Sequence, residues 1–85
     1  MKHAGPVALA TIVPLLDELR VVDGLIEKSP GTFYRRSRAF LHFHEDPTGI
    51  YADVRLHPDG DFTRLRATTA TEQRRLLRQV RATLR

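Results

Sequence analysis

The stretch from Ala39 to Leu56 constrains the fold more than any other part of this chain. It reads Ala-Phe-Leu-His-Phe-His-Glu-Asp-Pro-Thr-Gly-Ile-Tyr-Ala-Asp-Val-Arg-Leu, two runs of alternating apolar and polar residues around a Pro/Gly turn. A period of two sends successive side chains to opposite faces of a strand, so each run offers one face to a core and one to water. In the first run Leu41 and Phe43 lie on one side, His42 and His44 on the other. In the second, Ile50, Ala52, Val54 and Leu56 face one way, while Tyr51, Asp53 and Arg55 face the other. Such a hairpin needs an antiparallel sheet covered on one side only.

The rest of the chain supplies the cover. Leu9, Ile12, Val13, Leu16 and Leu19 recur at three- and four-residue spacing and predict helix between Pro6 and Arg20. Pro14 either kinks that helix or opens a shorter one, and Asp17-Glu18 would suit the first turn of the shorter one. A short edge strand is expected at Leu25 to Lys28. A strand follows from Thr32, with Arg35-Arg36-Ser37-Arg38 as a tight hairpin or a bulged continuation, and another runs from Phe62 to Ala67. Thr69 and Glu72 form a capping box for a last helix, whose apolar stripe is Leu76, Leu77, Val80 and Leu84. With 85 residues there is room for one domain, residues 1–85, and one layer of helices on one sheet. The expected fold is α+β: a two-layer sandwich, an antiparallel meander of three to five strands with N-terminal and C-terminal helices packed on one face.

The absence of cysteine removes disulfides, thiolate metal sites and cysteine nucleophiles. The apolar run from Val7 to Leu16 is interrupted by Pro14, ends at Asp17 and lacks a small-residue cleavage site, so it is read as core helix rather than as a signal peptide. No stretch reaches transmembrane length, no membrane partner is expected, and a cytoplasmic location is the default. The net charge of +4 comes from twelve arginines and two lysines against ten acidic residues. Basicity favours polyanionic partners, although a GC-rich genome favours arginine codons by itself.

The requirement that one sheet face be apolar also suggests register. Pairing Phe43 with Ala52 and Leu41 with Val54 sets His44 opposite Tyr51 and His42 opposite Asp53. Pairing Val54 with Leu65 sets Asp53 opposite Arg66 and Arg55 opposite Arg64. The open face then carries Phe40, His42, His44, Tyr51, Asp53, Arg55, Arg64 and Arg66. The candidate ligand-binding residues are His42, His44, Tyr51, Asp53, Arg64 and Arg66, a surface suited to an anionic small molecule or a protein edge. The bland alternative is a solvated face with cross-strand charge pairs.

His42-Phe43-His44-Glu45-Asp46 fits H-x-H-x-D, which resembles the first motif of metallo-β-lactamase-fold hydrolases. Pro47 stands where that family needs a further histidine, only His57 follows, and the scaffold is more than twice this length. The cupin pattern also opens H-x-H but needs a glutamate where this chain has Thr48 or Gly49. His42 and His44 could together reach one ion, yet a third and fourth ligand are not evident, so no metal site or cofactor is assigned. No nucleophile motif or phosphate loop is present, and no catalytic residue is expected. Arg74, Arg78, Arg81 and Arg85 share one side of the last helix, which gives nucleic-acid binding as an alternative and the ordinary solvated back of a helix as its rival.

Leu25-Ile26-Glu27-Lys28, Gly31-Thr32-Phe33-Tyr34 and Arg38-Ala39-Phe40-Leu41-His42-Phe43 together resemble the opening of small MmcQ/YjbR-like and YdhG-like domains, over roughly residues 14 to 56. The resemblance implies an antiparallel sheet with flanking helices. It lends some weight to DNA binding, suggested for the MmcQ/YjbR-like group, and carries over no catalytic residue. An uncovered sheet face and a free edge leave monomer or weak homodimer as the expected states.

Overall fold

The computed structural model describes residues 1–85. In chain order they form β1 (Lys2–His3), α1 (Pro6–Ala10), α2 (Val13–Arg20), β2 (Ile26–Ser29), β3 (Thr32–Arg35), β4 (Arg38–Asp46), β5 (Gly49–Val54), β6 (Thr63–Arg66) and α3 (Ala70–Leu84). The sheet is antiparallel, with β2 to β6 as a meander in sequence order. β1 pairs with β4 along the edge that β3 leaves free, at Lys2↔Glu45 and His3↔His44. The α+β sandwich is as expected, and its five-stranded meander is within the expected three to five strands; one further strand pairs with β4 outside that path. The additional strand is β1, too short to show any periodicity in sequence.

Pro14 resolves in favour of two helices. α1 closes at Ala10, and Pro14 sits in the first turn of α2, where its missing N–H costs nothing. Asp17 and Glu18 lie further along α2 than the first-turn expectation has them; Asp17 pairs with Arg20 and Glu18 with Arg81. α3 begins with the capping box: the Thr69 hydroxyl accepts from the Glu72 N–H, and the Glu72 carboxylate accepts from the Thr69 N–H.

All three helices lie on one side of the sheet. Leu9, Ile12, Leu15, Leu16 and Leu19 from the N-terminal pair, and Leu76, Leu77 and Val80 from α3, share one buried cluster with Phe33, Leu41, Phe43, Ala52 and Val54 from the strands. In so small a domain this single cluster carries nearly all the hydrophobic stabilisation.

The β4–β5 register is the expected one, with Leu41↔Val54, His42↔Asp53, Phe43↔Ala52 and His44↔Tyr51. The β5–β6 register differs by two residues: Ala52 pairs with Leu65, Tyr51 with Arg66 and Asp53 with Arg64. A two-residue slip keeps every side chain on its own face, so the facing rule alone cannot detect it. Arg55 lies beyond the last β5–β6 pair and does not oppose Arg64. Phe40 is also corrected. β3 pairs Phe33 with Leu41 and Tyr34 with Ala39, so Phe40 is the extra residue of a β-bulge, and it is buried in the core cluster rather than displayed on the open face.

Candidate metal centre on the sheet face

Alternation along β4 sends His42 and His44 away from the helices, and pairing with β1 brings a third imidazole alongside them. Glu45 fixes that arrival. Its carboxylate accepts the Gly5 N–H at 2.7 Å and lies 3.6 Å from the Lys2 ammonium, while the Ala4 N–H donates to the Phe43 carbonyl at 3.0 Å. The His3 ring stacks on His44, centroids 4.9 Å apart, and stands 5.5 Å from His42, while His42 and His44 meet edge-on at 4.8 Å. One ring nitrogen from each histidine lies within 4.8 Å of those of the other two.

His3 is exposed, but His42 and His44 are less open to solvent than the alternating strand suggests. The segment between β5 and β6 folds over them, and Phe62 packs edge-on against His42 at 4.7 Å. The His44 side chain is only 12% exposed and that of Asp53 11%. His42 Nδ1 and both His44 ring nitrogens are buried with no hydrogen-bond partner in the protein. Such orphaned polar atoms are uncommon and costly, and each calls for an explanation. Burial, and next to it the neighbouring His44, pushes the His42 imidazole below its ordinary value, towards the neutral form that can donate a lone pair.

Asp53 anchors the far side. Arg64 Nε donates to Oδ1 and Nη2 to Oδ2, each at 2.8 Å, a bidentate fork that holds the carboxyl below the usual carboxylate range. His44 Nε2 lies 3.0 Å from Asp53 Oδ2. It sits off the direction in which a ring N–H would donate, so the contact is electrostatic rather than a formed hydrogen bond.

The other expected site residues divide. His42, His44, Asp53 and Arg64 come together. Arg66 does not join Asp53: its guanidinium spans both Glu72 carboxylate oxygens at 3.0 Å and the Thr48 carbonyl at 2.8 Å, tying β6 to the start of α3. Tyr51 is on the same face, but its hydroxyl is 2.8 Å from the Thr48 hydroxyl, at the β4–β5 turn. Arg74, Arg78 and Arg81 are exposed on α3, whereas Arg85, expected on the same helix, is exposed at its C-cap, because the helix ends at Leu84. Arg81 is paired with Glu18 at 2.8 Å, and Arg74 leans on Thr71. His3, Phe62 and Glu45 were missed by sequence reasoning. Only the histidine type of His3 could have flagged it, since nothing near Lys2 marks a strand.

No family model, curated protein or solved structure matches this chain.

Proposed function

We propose that this protein binds a divalent transition-metal ion of the zinc, nickel or copper type through His3, His42 and His44. The observation that carries the reading is the gathering of three imidazoles from two strands, with buried ring nitrogens that no protein group satisfies. Imidazole donors suit these borderline ions and disfavour calcium or magnesium, which seek oxygen. Metal–nitrogen bonds of about 2.0–2.1 Å place tetrahedral ligand atoms about 3.3 Å apart. Side-chain rotation of three neighbouring rings can close a 4.8 Å spread to that value.

Asp53 suits an orienting role rather than that of a ligand, because Arg64 already occupies both of its oxygens. A carboxylate beside a ligating imidazole fixes its ring and raises its basicity. Three protein donors leave a fourth position for water or another small ligand. The ion would thus occupy the expected ligand-binding face of the sheet.

Titration of tag-free protein with zinc against a chromophoric chelator tests the reading. One ion per chain is expected, with shifts of the three histidine NMR signals. His3→Ala, at the exposed end of the cluster, and His42→Ala with His44→Ala should weaken or abolish uptake. Absence of stoichiometric uptake, or equal uptake by a folded His42/His44 double variant, would overturn it.

A further inference from the structure

Eight of the twelve arginines fall into two groups of four. Arg20, Arg64, Arg66 and Arg81 each face a carboxylate within ion-pair distance. Arg35, Arg36, Arg38 and Arg55 face none, yet they line one concavity of about 240 Å³ beside the β3–β4 turn, together with Phe40 and Pro58. Two of the four are anchored by main-chain carbonyls. Arg38 Nη1 donates to the Pro58 carbonyl at 2.6 Å, and Arg55 donates through Nε to the Ala39 carbonyl and through Nη1 to the Gly60 carbonyl, both at 2.9 Å. A carbonyl positions a guanidinium without cancelling its charge. Asp59 and Asp61 lie on the adjoining loop, but neither lines the concavity nor pairs with these arginines.

The turn itself is a second, independent observation. Arg35 pairs with Arg38, so Arg36 and Ser37 form a two-residue loop, with φ of 52° and 67°. Two successive left-handed residues are what such a hairpin requires, and Asn-Gly is the sequence that takes them with least strain. Here the turn carries a long cationic side chain instead, at a conformational cost. Residues held in such conformations cluster at ligand sites, which accords with a binding role for this turn.

We propose that this concavity binds the phosphate group of a small phosphorylated molecule. Planar guanidiniums with unused N–H groups match tetrahedral oxyanions and can hold them through paired charge-assisted hydrogen bonds. The volume suits one phosphate with a small substituent rather than an extended polymer. The groove between α2 and α3, also rich in arginine, is a poorer anion site because Glu18 lines it and neutralises Arg81. The phosphate site is separate from the histidine cluster, although Phe62 touches both: Arg55 lies over its ring at 4.2 Å and His42 packs against its edge.

The test is calorimetric titration of the full chain with inorganic phosphate and with phenyl phosphate, alongside a short oligothymidylate. Saturable binding of both phosphates that weakens with salt is expected. Arg36→Gln and Arg38→Gln, exposed positions that leave the core intact, should each reduce affinity about tenfold, while Arg75→Gln, the same loss of charge at an exposed position on α3 outside the concavity, should leave it unchanged. No phosphate binding up to millimolar concentration, equal binding by the Arg36/Arg38 double variant, or oligonucleotide binding that phenyl phosphate does not displace would overturn the proposal.

Discussion

Arg64 grips Asp53 with two parallel 2.8 Å hydrogen bonds, and the gripped carboxylate is the one that faces His44. The pair therefore links the charge balance of β5 and β6 to the histidine cluster. Asp53→Asn keeps the size of the side chain but removes its charge, and it presents an amide N–H₂ to either Arg64 or His44. The substituted protein is expected to retain His3, His42 and His44 as ligands yet to lose metal affinity by about 10- to 100-fold, the usual effect of removing an orienting carboxylate. Chelator competition on the two proteins measures this. An unchanged affinity would mean that Asp53 serves only to balance Arg64.

The turn at Arg36-Ser37 offers a gain of stability. The double substitution Arg36→Asn with Ser37→Gly gives the left-handed positions the residue types that accept them most readily. Relief of the side-chain clash, less the added freedom of glycine in the unfolded chain, is expected to raise stability by about 1 kcal/mol in urea unfolding. The same change removes one guanidinium from the concavity beside the turn, so phosphate affinity should fall as stability rises. A variant that loses both would show that the loop sequence is needed for folding.

The legibility of the sheet follows from how each register is set. Between β4 and β5 a short turn and two well-marked apolar faces leave one pairing, and His42↔Asp53 and His44↔Tyr51 are readable from sequence. Between β5 and β6 the segment from Arg55 to Phe62 is long, so no turn geometry fixes the offset; patterning sets Asp53 against Arg66, whereas it meets Arg64. Phe40 is misplaced by patterning because a bulge breaks strict alternation without any glycine to announce it. His3 is invisible as a site residue because a two-residue strand has no period. The candidate site is thus half readable: its two central histidines and Asp53 come from patterning, while its third imidazole and its cover, Phe62, are products of tertiary folding.

Gly49 is the residue the β4–β5 turn cannot exchange. Its φ of +140° is unfavourable for any side chain, and a Cβ there would run into the Thr68 hydroxyl and crowd the Arg66 guanidinium. Those two groups hold β6 in place: Thr68 Oγ1 accepts the Ile50 N–H at 2.8 Å, and Arg66 reaches the Thr48 carbonyl. Gly49→Ala is expected to destabilise the fold by about 1–3 kcal/mol, the range for a non-glycine residue forced into a sparsely populated conformation. Gly24→Ala is a useful control. It also has a positive φ but meets no neighbour within 4 Å, and should cost less. Thermal unfolding of both variants separates backbone strain from collision.

Acid should loosen the start of α3 before the core. The Glu72 carboxylate accepts N–H groups from Thr69 and Thr68 and faces Arg66, and these contacts, with the Thr69 N–H foremost, pull its pKa from 4.5 down to about 2. A carboxyl whose pKa is lower folded than unfolded binds protons more readily in the unfolded chain. Its contribution to stability is therefore complete above about pH 4.5 and lost progressively as pH falls towards 2. Glu72→Gln should be less stable than the parent at neutral pH, and the difference should shrink across that window. Thr69→Ala, which removes the other half of the capping box, is expected to cost about 1 kcal/mol, with no such pH dependence from its own hydroxyl. Urea unfolding of the three proteins between neutral pH and pH 2 decides the matter: a Glu72→Gln difference that stays constant down the series would mean that the carboxylate's charge does not stabilise the helix.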